Sequence, residues 1–76
     1  KAIEIATDWP NAYYARGLTK LDMADPEGAV DDCTEAIKNG YKGSEVYKVR
    51  GEAKESMGDT KGAKEDFEKY EELKGS

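Results

Sequence analysis

The sequence predicts an all-α fold of antiparallel helix-turn-helix repeats, stacked one on the next. Three observations carry this: an internal echo at one spacing, helix-capping signals at the same place in both copies, and small residues in matching helical registers. Laying residues 1–42 over 35–76 without a gap gives eleven identical pairs at a spacing of 34: Ala2/Ala36, Ile3/Ile37, Tyr13/Tyr47, Arg16/Arg50, Gly17/Gly51, Lys20/Lys54, Met23/Met57, Asp25/Asp59, Gly28/Gly62, Ala29/Ala63 and Asp32/Asp66. A fixed period of roughly 20–50 residues marks a supersecondary unit copied because it cannot bury its apolar face alone.

Each copy divides into two helical stretches. The first runs from Asn11 to about Met23, with Tyr13, Gly17 and Lys20 at i, i+4 and i+7 and Arg16 beside them. Asp25-Pro26-Glu27 then supplies a capping carboxylate, a proline at the first helical position and an acid in the first turn. That predicts a second helix from Pro26 to Asn39, ended at Asn39-Gly40 by a residue that tolerates the left-handed conformation. In the second copy Ser44 is expected to cap a helix through Met57, Gly58-Asp59 to break and recap the chain, and Thr60 to Leu73 to form the fourth helix before Gly75.

The start reads differently. Lys1-Ala2-Ile3-Glu4-Ile5 aligns with Glu35-Ala36-Ile37-Lys38-Asn39, so residues 1–7 are expected to end a preceding repeat helix. One domain is expected over 1–76, with the first full repeat at 10–40 and the second at 44–74. The chain then begins inside a repeat, as a trimmed protein or a piece of a longer array would. Trp9-Pro10 is placed in the turn before the first full helix, where tryptophan staples neighbouring helices or takes part in binding.

Glycine inside a helix costs about 1 kcal/mol relative to alanine, yet Gly17 and Gly51 share one register. Close approach of the partner helix explains it, with Ala29 and Ala63 as the small residues facing them. Arg16 and Arg50 are expected to lay their methylene stems over this seam and keep their heads in water.

Composition narrows the function. A chain of 76 residues buries only about 60% of its unfolded surface, which leaves no room for a deep catalytic cavity. Net charge is −5 and no basic stripe exists to grip phosphates, so nucleic acid is not an expected partner. There is no histidine, and Cys33 is the only cysteine, which excludes an internal disulfide, a multi-cysteine metal site and histidine acid-base catalysis. Asp31 and Asp32 point about 100° apart on a helix and cannot share a substrate. No enzyme activity, cofactor or metal is expected. The apolar runs are too short for a membrane span, so the chain reads as soluble, with the cytoplasm favoured and the compartment otherwise open.

These residues resemble the tetratricopeptide repeat family. The family pattern of aromatic, leucine-glycine, second aromatic, then alanine-x-x-x-phenylalanine reads here as Tyr13-x-x-Arg16-Gly17 with Ala29-x-x-x-Cys33, and as Tyr47-x-x-Arg50-Gly51 with Ala63-x-x-x-Phe67. Departures are Lys20 and Lys54 at the second aromatic, Arg16 and Arg50 at the leucine, Cys33 at the first phenylalanine, and Thr7 and Tyr41 near the expected proline. The resemblance covers residues 1–74.

It implies a right-handed superhelix, an α-solenoid scaffold for protein-protein interaction whose first helices line a concave groove holding an extended peptide or a partner helix. Lying opposite the glycine seam, the groove side is expected to carry Asn11, Tyr14, Leu18, Leu21 and Asp22 in the first repeat and Glu45, Lys48, Glu52, Glu55 and Ser56 in the second. Tyr13, Gly17, Ala29, Tyr47, Gly51 and Ala63 are expected to build the stack. An apolar strip beside an acidic one suits a segment with a hydrophobic residue or two next to Lys or Arg. Alternatively Leu18 and Leu21 pack on a preceding helix and the glutamates form a solvated face.

The carboxylate clamp of one branch of the family is not expected, because Glu52 stands where its asparagine is wanted, one turn after Lys48. Cys33 reads as a buried apolar residue. Tyr70 replaces the alanine of Ala2 and Ala36, as a terminal cap or against another domain, and the acid-rich last helix, Asp66 included, suits a solvated cap. The rival function is a structural segment that self-associates through Ala2, Ile3 and Ile5 or through Tyr70.

Overall fold

Four helices account for most of residues 9–75, the part of the chain that the computed structural model describes: α1 (Trp9–Asp22), α2 (Pro26–Lys38), α3 (Glu45–Ser56) and α4 (Thr60–Lys74). No strand occurs among the described residues. The expected leftover helix of residues 1–7, and with it Ala2, Ile3 and Ile5, lies outside them. α1 pairs with α2 and α3 with α4, α2 joins the pairs by packing on α3, and α1 meets α3 along a smaller edge.

The second helix of each pair begins in the same way. Asp25 Oδ1 accepts the Gly28 N–H at 3.1 Å and Asp59 Oδ1 accepts the Gly62 N–H at 3.0 Å, each satisfying one of the orphan donors of a helix start. A Cβ at position 28 or 62 would run into that same cap carboxylate, which explains why both glycines recur. The turns before the caps also match: Ala24 (φ 62°) and Gly58 (φ 85°) occupy the left-handed region, as does Gly40 (φ 95°) after α2.

Two helix starts differ from expectation. Trp9 and Pro10 open α1 rather than forming the turn before it. Proline is tolerated in a first turn, where its missing N–H has no intrahelical partner to lose. Trp9 is half-exposed and lines a shallow hollow with Ala12, Tyr13 and Arg16. Ser44 holds the N-cap position of α3 but its hydroxyl makes no capping bond, because its backbone is already helical (φ −69°, ψ −24°); its carbonyl accepts the Tyr47 N–H at 3.0 Å instead.

The core lies between the pairs. Cys33 and Ala36 of α2 meet Val46 and Val49 of α3, with Tyr13, Tyr14, Leu21, Ile37, Tyr41 and Tyr47 packed around them. The glycine seam is as close as the sequence implies, but its opposite wall differs. A Cβ on Gly17 would come within 3.1 Å of Cys33 Sγ and 3.4 Å of the Ala29 carbonyl, whereas one on Gly51 would meet the Phe67 ring at 2.9 Å. The residue four after each repeated alanine, more than the alanine itself, is what the glycine accommodates.

Both arginine heads are engaged by a carboxylate, that of Arg50 largely covered and that of Arg16 still open to water. Arg16 donates from Nε and Nη2 to both oxygens of Asp32 at 2.9 and 2.8 Å, and Arg50 does the same to Asp66 at 2.9 and 2.9 Å. Asp32 and Asp66 are buried, so Asp66 is no part of a solvated face on α4. A buried carboxylate needs paired donors, and the lysines complete the set: Lys20 Nζ stands 4.0 Å from Asp32 and Lys54 Nζ 3.3 Å from Asp66. Each guanidinium also covers a ring, Arg16 over Tyr13 and Arg50 over Tyr47, both 5.7 Å from the centroid. Lysine and arginine at the family's aromatic and leucine positions thus form one ion cluster per repeat.

Candidate functional site

Residues expected on the groove side of α1 and α3 divide by burial. Asn11, Leu18, Asp22, Glu45, Lys48, Glu52, Glu55 and Ser56 are exposed, while Tyr14 and Leu21 are half-buried and pack against the core between the pairs. Leu18 is the one large apolar side chain of the set that is freely presented, at 40% exposure.

Tyr14 is where the two repeats meet on this side. Its ring stacks on that of Tyr41, with centroids 4.8 Å apart and planes inclined by 28°. Burial raises the Tyr14 hydroxyl pKa first, and the neighbouring Tyr41, Glu45, Cys33 and Glu52 raise it further by like-charge repulsion. Burial likewise raises that of Tyr41, followed by Glu45 and Cys33. Tyr14 of α1, Tyr41 of the connecting loop, and Glu45 and Glu52 of α3 therefore share one electrostatic neighbourhood. Both phenols stay neutral at physiological pH.

Other members lie apart. Lys48 Nζ sits 5.8 Å from the ring centre of Tyr70 on α4, which also receives Lys74 Nζ at 5.1 Å. Glu55 lines a separate hollow with Thr60, Ala63 and Phe67. The stack-building residues all lie at helix-helix contacts, Tyr13 and Tyr47 beneath the arginines and Gly17, Gly51, Ala29 and Ala63 buried.

Sequence reasoning did not find Tyr41 as part of this side; its aromatic character directly after Gly40, where the first copy has Thr7, was the available signal. Nor did it join Arg16 to Asp32 and Arg50 to Asp66, although all four recur and both partners are separated by 16 residues.

Burial pushes the Cys33 thiol up to about 11, the opposite of an activated nucleophile. Among the described residues no group of three or more His, Cys, Asp or Glu side chains could hold a metal ion, and no helix is long and apolar enough to cross a membrane.

The tetratricopeptide repeat family model matches residues 44–76, which hold α3 and α4. The chain contains a tetratricopeptide repeat over these residues. Its first helix pair carries the same cap, glycine seam and ion cluster as the tetratricopeptide repeat of α3 and α4. Repeats of this family mediate protein-protein interaction and are scaffolds without catalysis of their own. No curated protein and no solved structure matches the chain.

Proposed function

We propose that the chain is a protein-interaction scaffold whose α1 and α3 line a groove for an extended peptide or a partner helix. The observation that supports this reading most is the juxtaposition of Tyr14 and Tyr41 with Glu45 and Glu52, beside the exposed Leu18. Aromatic faces and an exposed leucine take up an apolar side chain, and the two carboxylates attract a neighbouring Lys or Arg. The ligand is then a segment with one or two hydrophobic residues next to a basic one.

The test is fluorescence polarisation against a panel of labelled peptides that vary the apolar residue and the adjacent charge. Charge reversal of Glu52 and Glu45 weakens binding of the apolar-basic peptides about three- to tenfold at low salt, and less at high salt. Identical binding by the E45K/E52K variant would remove the acidic half of the site. Sedimentation of the same preparation excludes the rival reading when the chain binds peptide as a monomer.

A further inference from the structure

Between α3 and α4, on the side away from α2, lies an open groove of about 750 Å³ lined by Glu55, Thr60, Ala63, Lys64, Phe67, Glu68, Glu71 and Glu72. Stepping back by the 34-residue period identifies it. Glu55, Phe67, Glu68 and Glu71 correspond to Leu21, Cys33, Thr34 and Ile37. On the first pair those residues seat α3: Cys33 is in the core with Val46 and Val49, Leu21 and Ile37 pack against it, and Thr34 Oγ1 accepts the Arg50 Nη1–H at 3.1 Å. The groove is thus the place of a helix, still floored by Ala63 and Phe67, in which leucine, threonine and isoleucine have all become glutamate.

We infer that this groove docks an amphipathic helix of a partner protein, with small apolar residues facing Ala63 and Phe67 and Lys or Arg on both flanks. α3 itself is the template: it presents Val46, Val49 and Ala53 with Arg50 among them. An arginine in the register of Arg50 faces Glu68 where Arg50 faces Thr34, so a neutral hydrogen bond becomes a charge-assisted one. Four carboxylates and one lysine line the groove. Lys74 and Lys69 lie 3.5 Å from Glu71 and 3.9 Å from Glu72, in exposed pairs one turn apart on α4 that hold little energy against an incoming cation. The site is separate from the Tyr14 side and stands independently of it.

The probe is a synthetic peptide of residues 44–57 carrying E45K, E52K and E55K, titrated into the isotopically labelled chain and followed by NMR. Shifts are expected at Ala63, Phe67 and Glu68, with affinity lowered about threefold by each of E68K and E71K, whose unchanged circular dichroism shows an intact fold. A peptide of the same composition with the apolar stripe scrambled is expected not to bind there. Equal binding of the scrambled peptide, or shifts confined to Tyr14, Leu18 and Glu52, overturns the inference. So does movement of the same resonances on raising the chain's own concentration, which makes a second copy the occupant.

Discussion

Arg50 grips Asp66 through two parallel hydrogen bonds of 2.9 Å and reaches back to α2 with a third, to Thr34 Oγ1 at 3.1 Å. One side chain thereby ties α3 to the helix after it and to the helix before it. Its counterpart Arg16 holds Asp32 in the same way but is 60% exposed at the side chain, against 18% for Arg50.

That difference in cover sets the first prediction. Arg50→Ala leaves the Asp66 carboxylate buried with only Lys54 beside it, and unfolding in urea is expected to show a loss of about 2–3 kcal/mol. Arg16→Ala costs less, because water can enter the place of an exposed guanidinium and hydrate Asp32. Equal losses at the two sites would show that the deeper cover of Arg50 and its bond to Thr34 add nothing to the pair.

The seam glycines make a second contrast. Alanine in place of either glycine gains about 1 kcal/mol of helix propensity, offset by overlap at the new methyl group. At position 51 the overlap is deeper, yet the Phe67 ring borders the open groove and can swing into it. At position 17 the neighbours are a fully buried Cys33 and a backbone carbonyl, neither of which can yield. Gly17→Ala is therefore expected to destabilise by about 1 kcal/mol and Gly51→Ala to be close to neutral, as thermal melts of the two variants can show.

Much of this was legible in the sequence, for a definite reason. The period, the Asp25 and Asp59 caps and the Gly17/Gly51 seam are local or repeated signals, and a repeated residue reports packing twice. The meaning of Arg16 and Arg50 was not legible, since amphipathic arginine over an apolar seam is as good a local reading as arginine paired with an acid in the next helix. The choice depends on the depth of Asp32 and Asp66, which is a tertiary property. Trp9 and Ser44 were misjudged by one element of backbone geometry each. On the candidate site, exposure of Leu18 followed from its register, but the stacking of Tyr14 on Tyr41 required knowing where the α2–α3 loop folds.

The turns provide a third test. Ala24 adopts φ 62° where the second copy has Gly58, a conformation that costs a side chain roughly 1–2 kcal/mol. Ala24→Gly is expected to stabilise the chain by about 0.5–1 kcal/mol once the added entropy of the unfolded glycine is set against it. In the same series Asp59→Ala is expected to cost about 1 kcal/mol through loss of the cap, while Ser44→Ala, whose hydroxyl caps nothing, changes little.

Cys33 predicts a pH dependence. Its thiol rises from 9.0 to about 11 in the folded chain, chiefly because burial disfavours the thiolate. Between these values the unfolded chain has released the proton and the folded chain has kept it, so stability present below pH 9 is lost as pH climbs to 11. The loss amounts to about 2–3 kcal/mol by the usual conversion. Tyrosines and lysines titrate nearby, and the difference between the wild type and Cys33→Ala isolates the thiol: the variant's urea midpoint declines less steeply over this range. Parallel curves for the two proteins would refute the assignment.

Leu18 offers the cleanest separation of binding from folding. It is exposed, its counterpart is Glu52, and it is absent from the core between the pairs. Leu18→Glu is expected to leave the unfolding midpoint within about 0.5 kcal/mol of wild type, as surface changes do. Tyr14→Lys, which also installs the second repeat's residue, removes the ring stacked on Tyr41 and is expected to cost about 1 kcal/mol or more beyond lost burial. If the Tyr14 side holds the ligand, Leu18→Glu weakens apolar-basic peptides at least several-fold while the fold is untouched. A variant that retains both full stability and full affinity would show that the ligand does not use α1, and would leave the acid-rimmed groove on α4 as the surface to pursue.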